Sequence, residues 1–182
     1  MSEVSERYGR LAEAFKSTIA AVPADTWESP SPCAGWTARD VVRHVVDTQG
    51  MFLGFVGREG GDVPSVDDDP LAAWTAASAE VMRGLQDPAV ASAEYKGMSG
   101  PSTFEAGVDQ FLCFDLVVHA WDLAKAAELD HRMDEGEIAK VRAVAERFGP
   151  ALRSPQAFGP EIEPPPGADE QARFLAFLGR QP

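Results

Sequence analysis

Apolar residues recur at three- and four-residue spacing in four long stretches of this chain, the period of a helix with one buried face. Residues 3–22 carry Tyr8, Leu11, Ala12, Phe15, Ile19 and Val22 on one such face, and Pro23 ends the segment. A second helix is expected from Ala38 to Phe55, with Val41, Val45, Thr48, Phe52 and Phe55 on its apolar arc. Thr37 stands ready as its N-cap, and Asp40 three residues on completes an approximate capping box. A third helix, Leu71 to Leu85, aligns Leu71, Trp74, Ala77, Val81 and Leu85. The fourth, from about Ser102 to Glu128, is the longest. The alternating period of a strand is almost absent; residues 87–102, with Pro88, Gly97, Gly100 and Pro101, read as a crossing loop or short β-ribbon. The class is therefore all-α, and four amphipathic helices with one long connection predict a four-helix bundle. A further helix is expected at 134–148, ending a bundle domain of residues 1–148. Residues 149–182 form a proline-rich C-terminal extension packed on the same domain, with a short helix at 168–178 carrying Phe174, Phe177 and Leu178.

Charge and composition narrow the partners. The 182 residues are 45% hydrophobic, enough to fill a core, and carry a net charge of −13. Nucleic acid and anionic membrane surfaces attract basic patches, so neither is an expected partner. No uncharged apolar run approaches the roughly 20 residues of a membrane span. The opening MSEVSERYGR lacks the apolar core of a signal peptide. A reducing cytoplasm is the expected compartment, and Cys33 and Cys113 then read as small buried residues rather than a disulfide. Cys33 lies in a turn before the second helix.

The chemistry concentrates in VDQFLCFDLVVHAWDLAKAA. Asp115 and His119 are four residues apart and share a helix face with Val108, Phe111, Leu112, Val118 and Ala126. A buried carboxylate without a partner costs several kcal/mol, so something must compensate it. A divalent metal is one answer. His44, on the flank of the second helix's apolar arc, would bring the set to two imidazoles and one carboxylate, with positions left for water or substrate. A plain Asp–His hydrogen bond and a hydrogen-bonded core histidine are the competing answers. Asp122 shares the face and is either a partner for an imidazole or an exposed or capping acid. Asp47 is a weaker alternative ligand. His131, in the polar stretch ELDHRM, is expected at the surface. The run Asp67–Asp69 lacks the later glutamate of a calcium loop and reads as solvation and N-capping. Trp36 and Trp121 flank the ligand helices and either wall a cofactor pocket or pack the core.

SPCAGWTARDVVRHVVD and DLVVHAWDLAKAA resemble the two signature helices of the DinB-like metalloprotein superfamily. The closer resemblance is to the branch that contains the mycothiol-dependent maleylpyruvate isomerase N-terminal domain, and it extends to the tail FGPEIEPPPGADEQARFLAFLGRQP. It implies a DinB-like four-helix bundle holding a divalent metal, commonly zinc, on His44, Asp115 and His119. Nickel, iron and cobalt suit the same donors. The isomerase has glutamate at the position of Asp115, and a larger C-terminal domain with a functional arginine; only a short tail stands here, so Arg180 is not equated with that arginine. What the resemblance implies is a transferase or isomerase using a low-molecular-weight thiol, mycothiol, which attacks an electrophilic substrate as a metal-held thiolate. No residue is assigned as acid, base or nucleophile. The alternatives are a non-enzymatic metal-stabilised bundle that binds a ligand or partner, for instance as a homodimer, and a metal-dependent hydrolase.

Overall fold

A computed structural model describes residues 2–97, 100–149, 153 and 158–182. Four long helical segments build the bundle: α1 (Glu3–Ala21), α2 (Ala38–Phe55), α3 (Pro70–Gln86) and the segment that begins with α5 (Phe104–Gly107) and ends with α6 (Cys113–Ala126). Between α3 and α5 lie a one-turn helix, α4 (Pro88–Ala91), and an antiparallel ribbon, β1 (Glu94–Gly97) with β2 (Gly100–Thr103). α7 (Glu135–Phe148) and α8 (Glu170–Phe177) follow. α1 and α2 each pack on both α3 and α6, so they sit diagonally across the bundle. No helix is long and apolar enough to cross a membrane, among the described residues.

The helix starts follow local chemistry. Thr37 and Asp40 form the reciprocal capping box at α2. Asp69 caps α3, whose first residue is Pro70, so the acidic run 67–69 does serve as a cap. Asp134 and Asp169 cap α7 and α8. The bundle core runs through Tyr8, Phe15, Val41, Val45, Trp74, Phe104, Leu112 and Leu116. One expectation for the α2 end differs: Phe55 is 46% exposed, because it lies at the helix terminus, stacked on Tyr95 rather than inside.

The fourth helix is not regular. Between α5 and α6, Val108–Leu112 form a π-turn, and the Cys113 N–H reaches back five residues to the Val108 carbonyl. The Asp109 carbonyl, which an α-helix would give to Cys113, instead accepts from Arg7 Nη1 at 2.9 Å. Gly107 is required just before the turn, since a Cβ there would lie 2.4 Å from the Tyr95 hydroxyl on the ribbon. A second core cluster lies on the far side of α6, where Phe114, Val118 and Trp121 meet Ile138 and Val141 of α7 and Phe174, Leu175 and Leu178 of the tail. The irregular connection expected over 149–167 is described only in part, since residues 150–152 and 154–157 fall outside the described set.

Candidate metal centre

His44 on α2 and Asp115 and His119 on α6 converge where the two helices pack. Each offers one ligand atom, and these atoms all lie within 4.8 Å of one another. His44 Nε2 stands 3.4 Å from Asp115 Oδ2. The two imidazole rings meet edge to face, 4.9 Å between centroids. His119 is buried, whereas the side chains of His44 and Asp115 are 36% and 21% exposed, so one side of the cluster opens to solvent. Burial disfavours a charged His44 ring, but the hydrogen bond and charge of Asp115 outweigh it, with Asp47 and Asp122 adding, and the His44 pKa is raised.

The loop ahead of α2 brings Trp36 to the cluster. Ser31 N donates to the Trp36 carbonyl and Trp36 N to the Cys33 carbonyl, and the capping box then ties this turn to α2. The Trp36 ring therefore lies 4.9 Å from the His44 ring and stacks 6.1 Å from the His119 ring. Trp121 does not join them. It follows His119 by two residues, about 200° round the helix, and sits in the second core cluster beneath Lys125, whose Nζ is 5.7 Å from its ring. Asp47 is exposed and outside the ligand group. His131 is half-buried rather than at the surface, because Gln171 Nε2 draws its carbonyl against α8.

Asp122 orients the His119 ring. It is fully buried and accepts four hydrogen bonds: Arg180 Nε on Oδ1 at 2.8 Å, and Arg180 Nη2 (2.8 Å), His119 Nδ1 (2.9 Å) and Cys33 Sγ (3.3 Å) on Oδ2. Burial pushes its carboxyl upward, yet the hydrogen bonds from His119 and Arg180 prevail and hold it well below the usual carboxylate range. An ionised carboxylate only accepts, so His119 Nδ1 is the donor in this bond, which leaves Nε2 as the ring nitrogen on the opposite edge from Asp122.

Among the described residues, two groups of donors share His119: His44–Asp115–His119 and Cys33–His119–Asp122. The second does not suit a cation. Both Asp122 oxygens are committed, the Arg180 guanidinium lies 3.5 Å from Cys33 Sγ, and burial with the Asp122 charge pushes the Cys33 thiol up to about 12, so it stays protonated. The first does suit one. It combines two imidazoles, one oriented by its Nδ1 bond to Asp122, and a carboxylate on the open side. Sequence reasoning left Asp122 undecided and missed that Cys33 and Arg180 meet it; separations of 89 and 58 residues leave no local signal.

Fold and site together define an all-α, DinB-like bundle with a histidine–carboxylate cluster between two of its helices. Residues 8–124 match the mycothiol maleylpyruvate isomerase N-terminal domain, and the chain belongs to that family. Two curated relatives, both from Mycobacterium tuberculosis, are each 33% identical over 179 residues, covering 94% of this chain and 94% of the relative. They are named Uncharacterized protein MT0763 (strain CDC 1551 / Oshkosh) and Uncharacterized protein Rv0738 (strain ATCC 25618 / H37Rv). No solved structure is significantly similar to the chain.

Proposed function

We propose that this chain binds a divalent metal, zinc being best suited, on His44, Asp115 and His119, and that it works with a low-molecular-weight thiol, mycothiol, in a transfer or isomerisation reaction. The observation that carries the reading is the convergence of three donor atoms within 4.8 Å, one of them a nitrogen whose lone pair a buried carboxylate has oriented. When bound, the cation supplies a Lewis acid that keeps a coordinated thiol deprotonated near neutral pH. The chain's own residues supply the rest. His44 and Asp115 form the open side, through which a thiol and an electrophilic substrate reach the centre. Trp36 covers both imidazoles and keeps water from that face. Cys33 and Cys113 are both pushed up to about 12, by burial first, so neither competes as a thiolate. The family's description supports mycothiol as the thiol.

The test is elemental analysis of protein supplied with zinc at neutral pH. Wild type should hold about one equivalent, the stoichiometry of a single site, and His44→Ala and His119→Ala should lose it. A wild type without metal refutes the site. Titration calorimetry of the loaded protein with mycothiol follows; no binding heat would remove the thiol and leave the metal.

A further inference from the structure

Arg180 belongs to the tail, yet its guanidinium lies inside the site's supporting shell. We infer that Arg180 is a positioning residue for the metal centre: it acts through Asp122 to hold His119, and so makes docking of the C-terminal tail part of metal binding. The inference rests on the metal reading above.

The guanidinium's charged partner is Asp122. Arg180 is 6% exposed. Its Nε and Nη2 take separate oxygens of Asp122, both at 2.8 Å, the two-pronged arrangement that fixes a carboxylate in orientation as well as place. From behind, the tail holds the arginine still. Its backbone N–H donates to the Leu175 carbonyl at 2.9 Å, Nη1 reaches the Leu178 carbonyl at 3.3 Å, and the guanidinium lies 4.7 Å over the Phe158 ring. Gly179 makes the turn out of α8 with φ +77, where a Cβ would meet the Pro160 carbonyl oxygen at 2.6 Å. Leu175 and Leu178 anchor that turn in the second core cluster. The chain of contact is therefore continuous: tail core, Arg180, Asp122, His119 Nδ1, and the Nε2 lone pair on the other edge of the same ring.

A buried ion pair serving the fold alone would need Asp122 and Arg180 but not His119. Here the oxygen that takes Arg180 Nη2 also takes the imidazole, so rotating the carboxylate moves both bonds. Free-energy coupling is reciprocal: if a docked tail strengthens metal binding, bound metal must strengthen tail docking by the same factor.

Three readouts test this, on wild type, Arg180→Gln and Arg180→Lys. In the metal-free wild type, ring-nitrogen NMR should show His119 as one tautomer with the proton on Nδ1, and Arg180→Gln should lose that single state. Zinc affinity, from chelator competition, should fall about ten- to hundredfold in Arg180→Gln, as for other residues that orient a ligand from behind. Arg180→Lys keeps the charge without the two prongs, and should stay weaker than wild type. In wild type, zinc should slow amide exchange across residues 170–180. A folded Arg180→Gln with wild-type affinity and an unchanged His119 ring overturns the inference. If that variant does not fold, amide exchange in wild type decides, and exchange at 170–180 indifferent to zinc overturns it. If wild type holds no zinc, the metal reading falls, and the ring spectra of the metal-free proteins still decide whether Arg180 sets His119.

Discussion

Replacing Arg7 with alanine should cost this protein a large part of its stability, and the size follows from what the side chain touches. Arg7 Nε and Nη2 both donate to Glu137 Oε2 on α7, at 2.8 and 2.6 Å. Its Nη1 donates to the side chain and the carbonyl of Asp109 at the π-turn, at 2.7 and 2.9 Å. The Arg7 and Glu137 side chains are 8% and 11% exposed, so alanine would strand a carboxylate with little water around it. Breaking a buried pair by removing one partner costs about 3–5 kcal/mol. Asp109 is 42% exposed and can turn to water, and Lys140 Nζ stays 3.5 Å from Glu137 Oε1, so the lower end applies, about 3 kcal/mol. Against a typical total of about 5–15 kcal/mol that is a fifth to a half or more. With a urea dependence of about 2–3 kcal/mol per molar, the unfolding midpoint should fall by about 1–1.5 M. The double variant Arg7→Met, Glu137→Leu leaves no stranded charge and should recover most of the loss. A single-variant loss under about 1 kcal/mol, the worth of an exposed ion pair, would refute the reasoning.

Two further predictions concern the ends and the middle of the bundle. Thr37→Ala removes the side-chain half of the α2 capping box and should cost about 1 kcal/mol, read as a fall in melting temperature, while Thr37→Ser should restore nearly all of it. Tyr8 is fully buried with its hydroxyl on Gln49 Oε1 at 2.7 Å, and burial, with a smaller contribution from Cys113, raises its pKa well above the ordinary value. A raised folded pKa means that its stabilisation is fully present below the unfolded value of about 10 and is lost as pH rises beyond it. Urea midpoints should therefore drop from pH 9 to pH 11, and the drop should be smaller in Tyr8→Phe; equal drops would remove Tyr8 as the cause.

The parts of this fold that were legible are those with local causes. Helix periods, the Thr37–Asp40 box and the Asp69–Pro70 start are written within a few residues of where they act. The π-turn was not legible, because one inserted residue leaves the three- and four-residue spacing readable and its partner, Arg7, lies 102 residues away. The meeting of His44, Asp115 and His119 was legible because charged groups inside an apolar stripe are conspicuous. Trp36 and Trp121 looked equivalent by their distance from a histidine along the chain, and helix geometry alone separates them: two residues past His119 is the opposite face. Nothing near Asp122 or Cys33 announces Arg180, since the proximity comes from the tail folding back on α6.

The two buried arginines act on one helix. Arg7 grips the π-turn ahead of Asp115, and Arg180 grips Asp122 a turn beyond His119, so the stretch that carries both candidate ligands is fixed at each end. Between the grips α6 buries Leu116, Val117, Val118 and Ala120 against its neighbours. A slip of one residue would swing each ligand by about 100°. Asp115 makes that orientation matter more. An aspartate is a methylene shorter than the glutamate of the maleylpyruvate isomerase and has one torsion fewer with which to correct a misplaced backbone. Between those two grips Asp115 Oδ2 comes within 3.4 Å of His44 Nε2 across the interface.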